Sequence, residues 1–262
     1  MINLIKGDCL EEMDKLIAEG VKVDSIITDI PYGTTACKWD TIIPFEAMWE
    51  RLNKLIKDNG AIVLFGSEPF SSALRMSNIK NYKYDWVWKK SRVSHFAQAP
   101  YRPLTVTENI ICFSFGGTSK NAKLRMSYNP QGLIDCYKQC KGKGHSDHRP
   151  SSSKQSDYIQ TKTGYPNQIL DFKSDMAIMH PTQKPVALME YLIKTYTNEN
   201  ELVLDFTMGS FTTAIACLNT KRQFIGIEKD EHYFEVGKKR VEEHIKTLDY
   251  KPTIVYNQSI SN

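Results

Sequence analysis

Two short apolar runs, far apart in the chain, end in the same way. Ser25-Ile26-Ile27-Thr28 is followed by Asp29-Ile30-Pro31-Tyr32, and Leu202-Val203-Leu204 by Asp205-Phe206-Thr207-Met208-Gly209-Ser210. Each is an unbroken stretch of strand-forming residues stopped by a carboxylate and a tight turn. Unbroken apolar strands are covered on both faces, as in a parallel sheet held between helix layers. Sheets of that kind deliver functional groups at the carboxyl ends of their strands. The two runs therefore predict a doubly wound α/β sheet with its site built from both turns. The first turn offers a carboxylate beside an aromatic ring. The second is a strand-to-helix turn of the kind that receives a nucleotide-like cofactor.

The flanking sequence alternates between strand and helix periodicity. Met1 to Asp8 reads as a short strand and an acidic turn rather than a signal peptide. Asp8 to Glu19 has helical spacing, with Leu10, Met13, Leu16 and Ile17 on one face. Phe45 to Lys57 reads as a helix ended by Asn59-Gly60, with a strand at Ala61–Phe65. Tyr84–Lys89 and Asn109–Phe115 are β-like, and helices are expected at Val186–Thr195 and His232–Ile245, with a strand at Phe224–Ile227. Between Gly116 and Lys173 the periodicity disappears. A structureless loop of that length is unusual inside a compact domain, so a separate lobe over 116–172 is expected, flanked by 1–115 and 173–262.

Charge divides along the same lines. The chain carries 34 Lys/Arg and 30 Asp/Glu, a net +4. Residues 117–164 hold nine Lys/Arg and three Asp, or +6, and the remainder is 25 minus 27, or −2. A basic segment of this kind is either a phosphate-binding surface or a solvated loop. If the former, Lys138, Lys141, Lys143 and Arg149 are its candidate DNA contacts. Cys136, Cys140, His145 and His148 in the same stretch have zinc-ligand chemistry, but the gap between the cysteines is longer than the usual pair, and no metal is expected. Trp86 and Trp88 lie in a basic, aromatic stretch, Tyr82 to Arg102 with His95, that either approaches DNA or sits in the core, the core being favoured for the tryptophans. Six scattered cysteines without a disulfide-framework spacing point to a reducing compartment, hence the cytoplasm. No apolar run reaches the roughly twenty residues a membrane span needs.

These segments resemble the β-class, or permuted, DNA amino-methyltransferases that use S-adenosylmethionine. Asp29-Ile30-Pro31-Tyr32 stands in the place of that family's Asp-Pro-Pro-Tyr, and His180-Pro181-Thr182-Gln183-Lys184-Pro185 is similar to its helix-leading cofactor motif. Asp205–Thr213 resembles its glycine-containing turn, Gly226-Ile227-Glu228 its ribose-binding strand end, and Gly7-Asp8-Cys9-Leu10 its adenine-contacting turn. Short matches of this kind are individually weak, but these occur in the order of the class: catalytic segment, recognition region, cofactor strand. The resemblance implies a Rossmann-like methyltransferase sheet with an inserted target-recognition lobe. It implies a site-specific adenine-N6 methyltransferase acting on double-stranded DNA. Cytosine-N4 methylation is the alternative within the fold, and a catalytically dead DNA-binding relative the alternative outside it. A homodimer and a cognate restriction endonuclease are the protein partners that the class brings into view.

The chemistry accounts for the residue types. An exocyclic amine is a poor nucleophile because its lone pair is delocalised into the ring. Acceptors on its hydrogens, expected at the Asp29 carboxylate and the Ile30 carbonyl, localise that pair, and positioning supplies much of the rate. Tyr32 is expected to stack on a base turned out of the duplex, and Pro31 to stiffen the turn. The resemblance assigns Asp8, Cys9, Thr182, Gln183, Lys184, Asp205, Phe206, Thr207, Gly209, Ser210 and Glu228 to the cofactor. Of these, Glu228 is expected to accept from the ribose hydroxyls, Asp8 from the adenine amine, and Thr182, Gln183 and Lys184 to donate to the methionyl carboxylate. For Lys184 a solvated position at a helix start is the alternative. Two residues depart from the family pattern: Ile30 replaces its first proline, and Phe211 stands where it commonly has a second glycine. If that second position requires φ > 0, the Cβ costs about 1 kcal/mol.

Overall fold

The computed structural model describes residues 1–34, 40–94, 96–141, 157–175 and 183–258. The chain divides into two compact units: Met1–Asn129 together with Gln168–Asn262, and Pro130–Asn167. The larger begins with β1 (Ile2–Lys6), α1 (Cys9–Ala18), β2 (Val23–Thr28), α2 (Phe45–Leu55), β3 (Ile56–Gly66), α3 (Phe70–Ser77), β4 (Tyr82–Ser94) and β5 (Thr105–Phe113). The smaller contains β6 (Ile134–Cys140) and β7 (Tyr158–Thr163). The larger then resumes with β8 (Ile169–Asp171), α4 (Val186–Tyr196), β9 (Leu202–Asp205), α5 (Thr212–Asn219), β10 (Gln223–Glu228), α6 (Glu231–Ile245) and β11 (Ile254–Gln258).

A single nine-stranded sheet runs through the larger unit in the order β11-β1-β10-β9-β2-β3-β5-β4-β8. Strands β11 to β3 are parallel, β5 is antiparallel to both β3 and β4, and β8 is parallel to β4. The apolar runs of β2 and β9 lie side by side at its centre, with Ser25 opposite Val203 and Ile26 opposite Leu204. From β9 the chain moves through α5 to β10 on one side, and from β2 through α2 to β3 on the other. Connections that diverge in this way leave a crevice at the carboxyl ends of the two strands.

Strand alternation sorts the apolar residues onto two faces. Leu4, Ile27, Val63 and Phe65 pack with α4, α5 and α6 through Leu188, Leu192, Ala214, Ile215, Phe234 and Val241. Their neighbours Ile5, Ile26, Ile62 and Leu64 pack with α1, α2 and α3 through Met13, Leu16, Met48, Leu52 and Leu74. Both faces are thus covered by helices, as the unbroken apolar runs require. Trp86 and Trp88 are core residues, each 3% exposed. Among the described residues no helix is long and apolar enough to cross a membrane.

Some expected boundaries move. Helix α2 stops at Leu55, and Asn59-Gly60 lies within β3 instead of ending the helix. Val23 pairs with Ile56 but Ser25 with Ala61, so the turn-forming pair marks an irregularity in the strand. The smaller unit begins at Pro130 and ends at Asn167, inside the expected 116–172. Both flanks belong to the larger unit: Asn129 N donates to Thr195 O of α4 at 2.6 Å, Ser127 N to Asn59 O of β3 at 2.8 Å, and β8 pairs with β4. Within the smaller unit β6 and β7 form an antiparallel pair. Lys138, Lys141, Tyr137 and Tyr158 are exposed there. Cys136 and Cys140 each place a sulfur near Gln160, at 3.5 and 3.8 Å. Lys143, Arg149, His145 and His148 lie outside the described residues, as do Thr182, His180, Pro181 and His95.

Candidate active site

The crevice between β9 and β2 opens into a cleft of about 640 Å³. Every described residue assigned from sequence to catalysis or to the cofactor lines it: Asp8, Cys9, Asp29 to Tyr32, Gln183, Lys184, Asp205 to Thr207, Gly209, Ser210 and Glu228. They reach it from the ends of β1, β2, β9 and β10 and from the segment preceding α4. The fold therefore brings together stretches that are remote in sequence.

Hydroxyl groups tie the two central turns to each other. Asp205, 3% exposed at the end of β9, accepts from Thr28 Oγ1 at 2.6 Å, from the Thr213 hydroxyl, and from Thr207 N at 3.2 Å. Thr207 Oγ1 lies 2.7 Å from Thr28 Oγ1 and donates to the Asp29 carbonyl at 3.2 Å. Burial pushes the Asp205 carboxyl up to about 6 against these hydrogen bonds, which favour its charged form. Thr28 and Thr213 were not singled out from sequence, because threonine in a strand or a helix start reads as ordinary packing.

The cofactor-side residues are held by local structure. Asp8 caps α1, accepting from Leu10 N at 3.0 Å, and pairs with Lys229 at 3.1 Å. Partial burial raises its carboxyl, but the Lys229 and Leu10 hydrogen bonds outweigh that and leave it below the usual range. Glu228 accepts from Gly209 N at 2.9 Å and Asp230 N at 2.8 Å, while burial holds its carboxyl above the usual range. Cys9 is a neutral thiol, pushed up to about 12 chiefly by burial. Gly209 sits at φ +50°, and Phe211 at φ +62° caps α5 with its ring fully buried. Ile30 is 3% exposed, so the residue replacing the family's proline anchors the Asp29–Tyr32 turn through the core. The ring of Phe206 is also buried, in the layer beneath the turn.

Lys184 corrects the solvated alternative, its side chain being only 8% exposed. Within the cleft its ammonium is paired with two protein carboxylates, 2.7 Å from Asp29 Oδ2 and 2.8 Å from Glu108 Oε1. Tyr32 donates its hydroxyl to Asp29 Oδ1 at 2.5 Å and to Glu108 Oε1 at 3.0 Å. Burial alone would lower the Lys184 ammonium, but the two carboxylates outweigh it and hold it above its ordinary value. Burial raises the Asp29 carboxyl, with Lys184 opposing and Glu108 reinforcing. The Tyr32 phenol is held well above its usual range by burial, then by Asp29 and Glu108. The ring of Tyr32 lies 5.2 Å from Phe70, and Gly33 beside it, at φ +68°, is fastened by Asp40 Oδ1 accepting from its N–H at 2.9 Å. Glu108 was missed in the sequence. Its signal was a lone carboxylate in the β run Thr105-Val106-Thr107-Glu108-Asn109-Ile110, where an inward charge needs a partner.

Comparison with known proteins places this geometry in a family. Residues 23–239 match the N6/N4 DNA methylases. The chain is 29% identical over 257 residues to the DNA adenine methyltransferase YhdJ of Escherichia coli (strain K12), a match covering 91% of this chain and 82% of that protein. The crystal structure of an M1.HpyAVI–SAM complex is similar at a TM-score of 0.61 and 29% identity, over 92% of this chain and 100% of the other. The cytosine-N4-specific PvuII DNA methyltransferase superposes with a TM-score of 0.64 at 13% identity, over 96% and 94% of the two chains, a likeness of fold alone.

Proposed function

The chain belongs to the DNA methylase family, and we propose that it is a permuted-class adenine-N6 methyltransferase acting on double-stranded DNA with S-adenosylmethionine. The observation that carries this reading is the meeting of the Asp29–Tyr32 turn and the Asp205–Ser210 turn in one cleft. The cleft volume falls within the range of small-molecule sites. Carboxylates at Asp8 and Glu228 suit an amine and vicinal hydroxyls, and the neutral Cys9 thiol suits an apolar ring. S-adenosylmethionine held there supplies an electrophilic sulfonium methyl. The Asp29 carboxylate and the Ile30 carbonyl accept from the target amine and direct its lone pair, while Tyr32 faces the turned-out base. Buried Ile30 and the Thr207 bond to the Asp29 carbonyl keep both acceptors in place.

Adenine rather than cytosine is supported by Asp29: the N6-adenine members that this motif resembles carry Asp or Asn at its first position, and the N4-cytosine members Ser. The adenine-specific name of a relative aligned along most of the chain points the same way. The Pro130–Asn167 unit, with exposed Lys138 and Lys141, serves as the recognition lobe in this reading. The test is to incubate the protein with unmethylated genomic DNA and S-adenosylmethionine, digest to nucleosides and identify them by mass spectrometry. N6-methyl-2′-deoxyadenosine is expected. N4-methyl-2′-deoxycytidine would overturn the base assignment alone, and the absence of any methylated nucleoside would leave a DNA-binding relative without catalysis.

A further inference from the structure

We propose that Glu108 is a positioning residue for methyl transfer, taking up the Lys184 ammonium and the Tyr32 hydroxyl so that these two donors do not saturate Asp29 as the acceptor of the target amine. The inference rests on the methyltransferase reading above. As an amine attacks, positive charge develops on its nitrogen, and an anionic acceptor stabilises that charge. Asp29 alone would be poorly suited to this, because both its oxygens are engaged: Oδ1 by Tyr32 at 2.5 Å and Oδ2 by Lys184 at 2.7 Å. An ammonium at that distance cancels much of the carboxylate's field.

Glu108, reaching in from β5, accepts from the same two donors, at 2.8 Å from Lys184 and 3.0 Å from Tyr32. The side chains of Lys184 and Glu108 are each only 8% exposed, so water does little to screen the pair. A single hydroxyl proton cannot serve two acceptors fully. When the target amine donates to Asp29, the Tyr32 hydroxyl turns to Glu108 and the Lys184 charge remains compensated there. Without the Glu108 charge, Lys184 is left to Asp29 alone, and Lys90, now 3.9 Å from Glu108 Oε2, adds a second unbalanced cation. The charged and titratable groups around Asp29 are then Lys184 before α4, Tyr32 on its own turn, Lys90 on β4 and Asp205 on β9.

Glu108→Gln preserves shape and an acceptor oxygen but removes the charge, which separates electrostatic from structural support. Two measurements are made on the parent protein and on this variant. The Asp29 carboxyl is titrated by ¹³C NMR with the Asp29→Asn protein for assignment, and the single-turnover methylation rate is followed against pH. Because the Glu108 charge raises the Asp29 carboxyl, its loss should move the Asp29 titration and the acid limb of the rate to lower pH. The rate at neutral pH should fall about tenfold. Glu108→Asp should keep the acid limb near that of the parent protein. An unmoved Asp29 titration with a parental rate profile in Glu108→Gln would overturn the proposal. Failure of the parent protein to methylate DNA would instead overturn the methyltransferase reading, while the NMR titration still decides whether Glu108 sets the charge state of Asp29.

Discussion

At Phe211 the backbone occupies φ +62°, where a Cβ costs about 1 kcal/mol, yet the ring is fully buried. It packs 5.7 Å from Phe234 and lies against Gly237, where an added Cβ would come within 2.2 Å of it. The departure from the family's glycine is thus matched by a glycine on α6. Burying an aromatic ring outweighs the backbone strain, so Phe211→Gly should destabilise the protein by about 2–4 kcal/mol in urea melts, the cavity loss less the relieved strain. Gly237→Ala alone should also destabilise. Because the two residues occupy one space, the double variant should lose less than the sum. Strictly additive losses would show that this packing does not set the energetics of the turn.

Among the elements, the decisive join is between the ends of β2 and β9. Their turns are linked by Thr28 and Thr207 through the buried Asp205, so hydrogen bonds hold the two cleft-lining segments to each other. The arrangement makes stability depend on pH in an unusual direction for an aspartate. The Asp205 carboxyl is raised from 3.8 to about 6 in the folded chain, so folding favours its protonated form. Its contribution to stability is fully present below the unfolded value and lost as pH rises through about 6. Relative to Asp205→Asn, which cannot titrate, the parent protein should lose up to about 3 kcal/mol between pH 4 and pH 8. A difference in unfolding free energy that stays constant across that range would contradict the account.

Across the whole molecule, positive charge is concentrated in the sequence segment 117–164, which includes Lys138, Lys141, Lys143 and Arg149. Neutralising these four together should weaken DNA binding and reduce the log–log salt slope by about 0.9 for each phosphate no longer neutralised, leaving S-adenosylmethionine affinity unchanged. An unaltered slope would place the DNA surface elsewhere. The sheet was legible in the sequence wherever burial on both faces left an unbroken apolar run, as at Ser25–Thr28 and Leu202–Leu204. It was not legible where pairing alone makes the strand: β6 and β7 expose most of their residues, and β8 is three residues long. The site followed the same division. Asp29 and Glu228 stand at ends of apolar runs and could be found, whereas Glu108 and its pairing with Lys184 arise from segments brought together only by folding. The mechanism proposed above has Asp29 acting on the target amine and not on the methyl donor. Measuring single-turnover methylation and S-adenosylmethionine affinity together in Asp29→Ala tests this most directly: turnover should fall about a hundredfold or more with the affinity little changed, whereas parental turnover, or a loss of affinity that accounts for the whole defect, would contradict it.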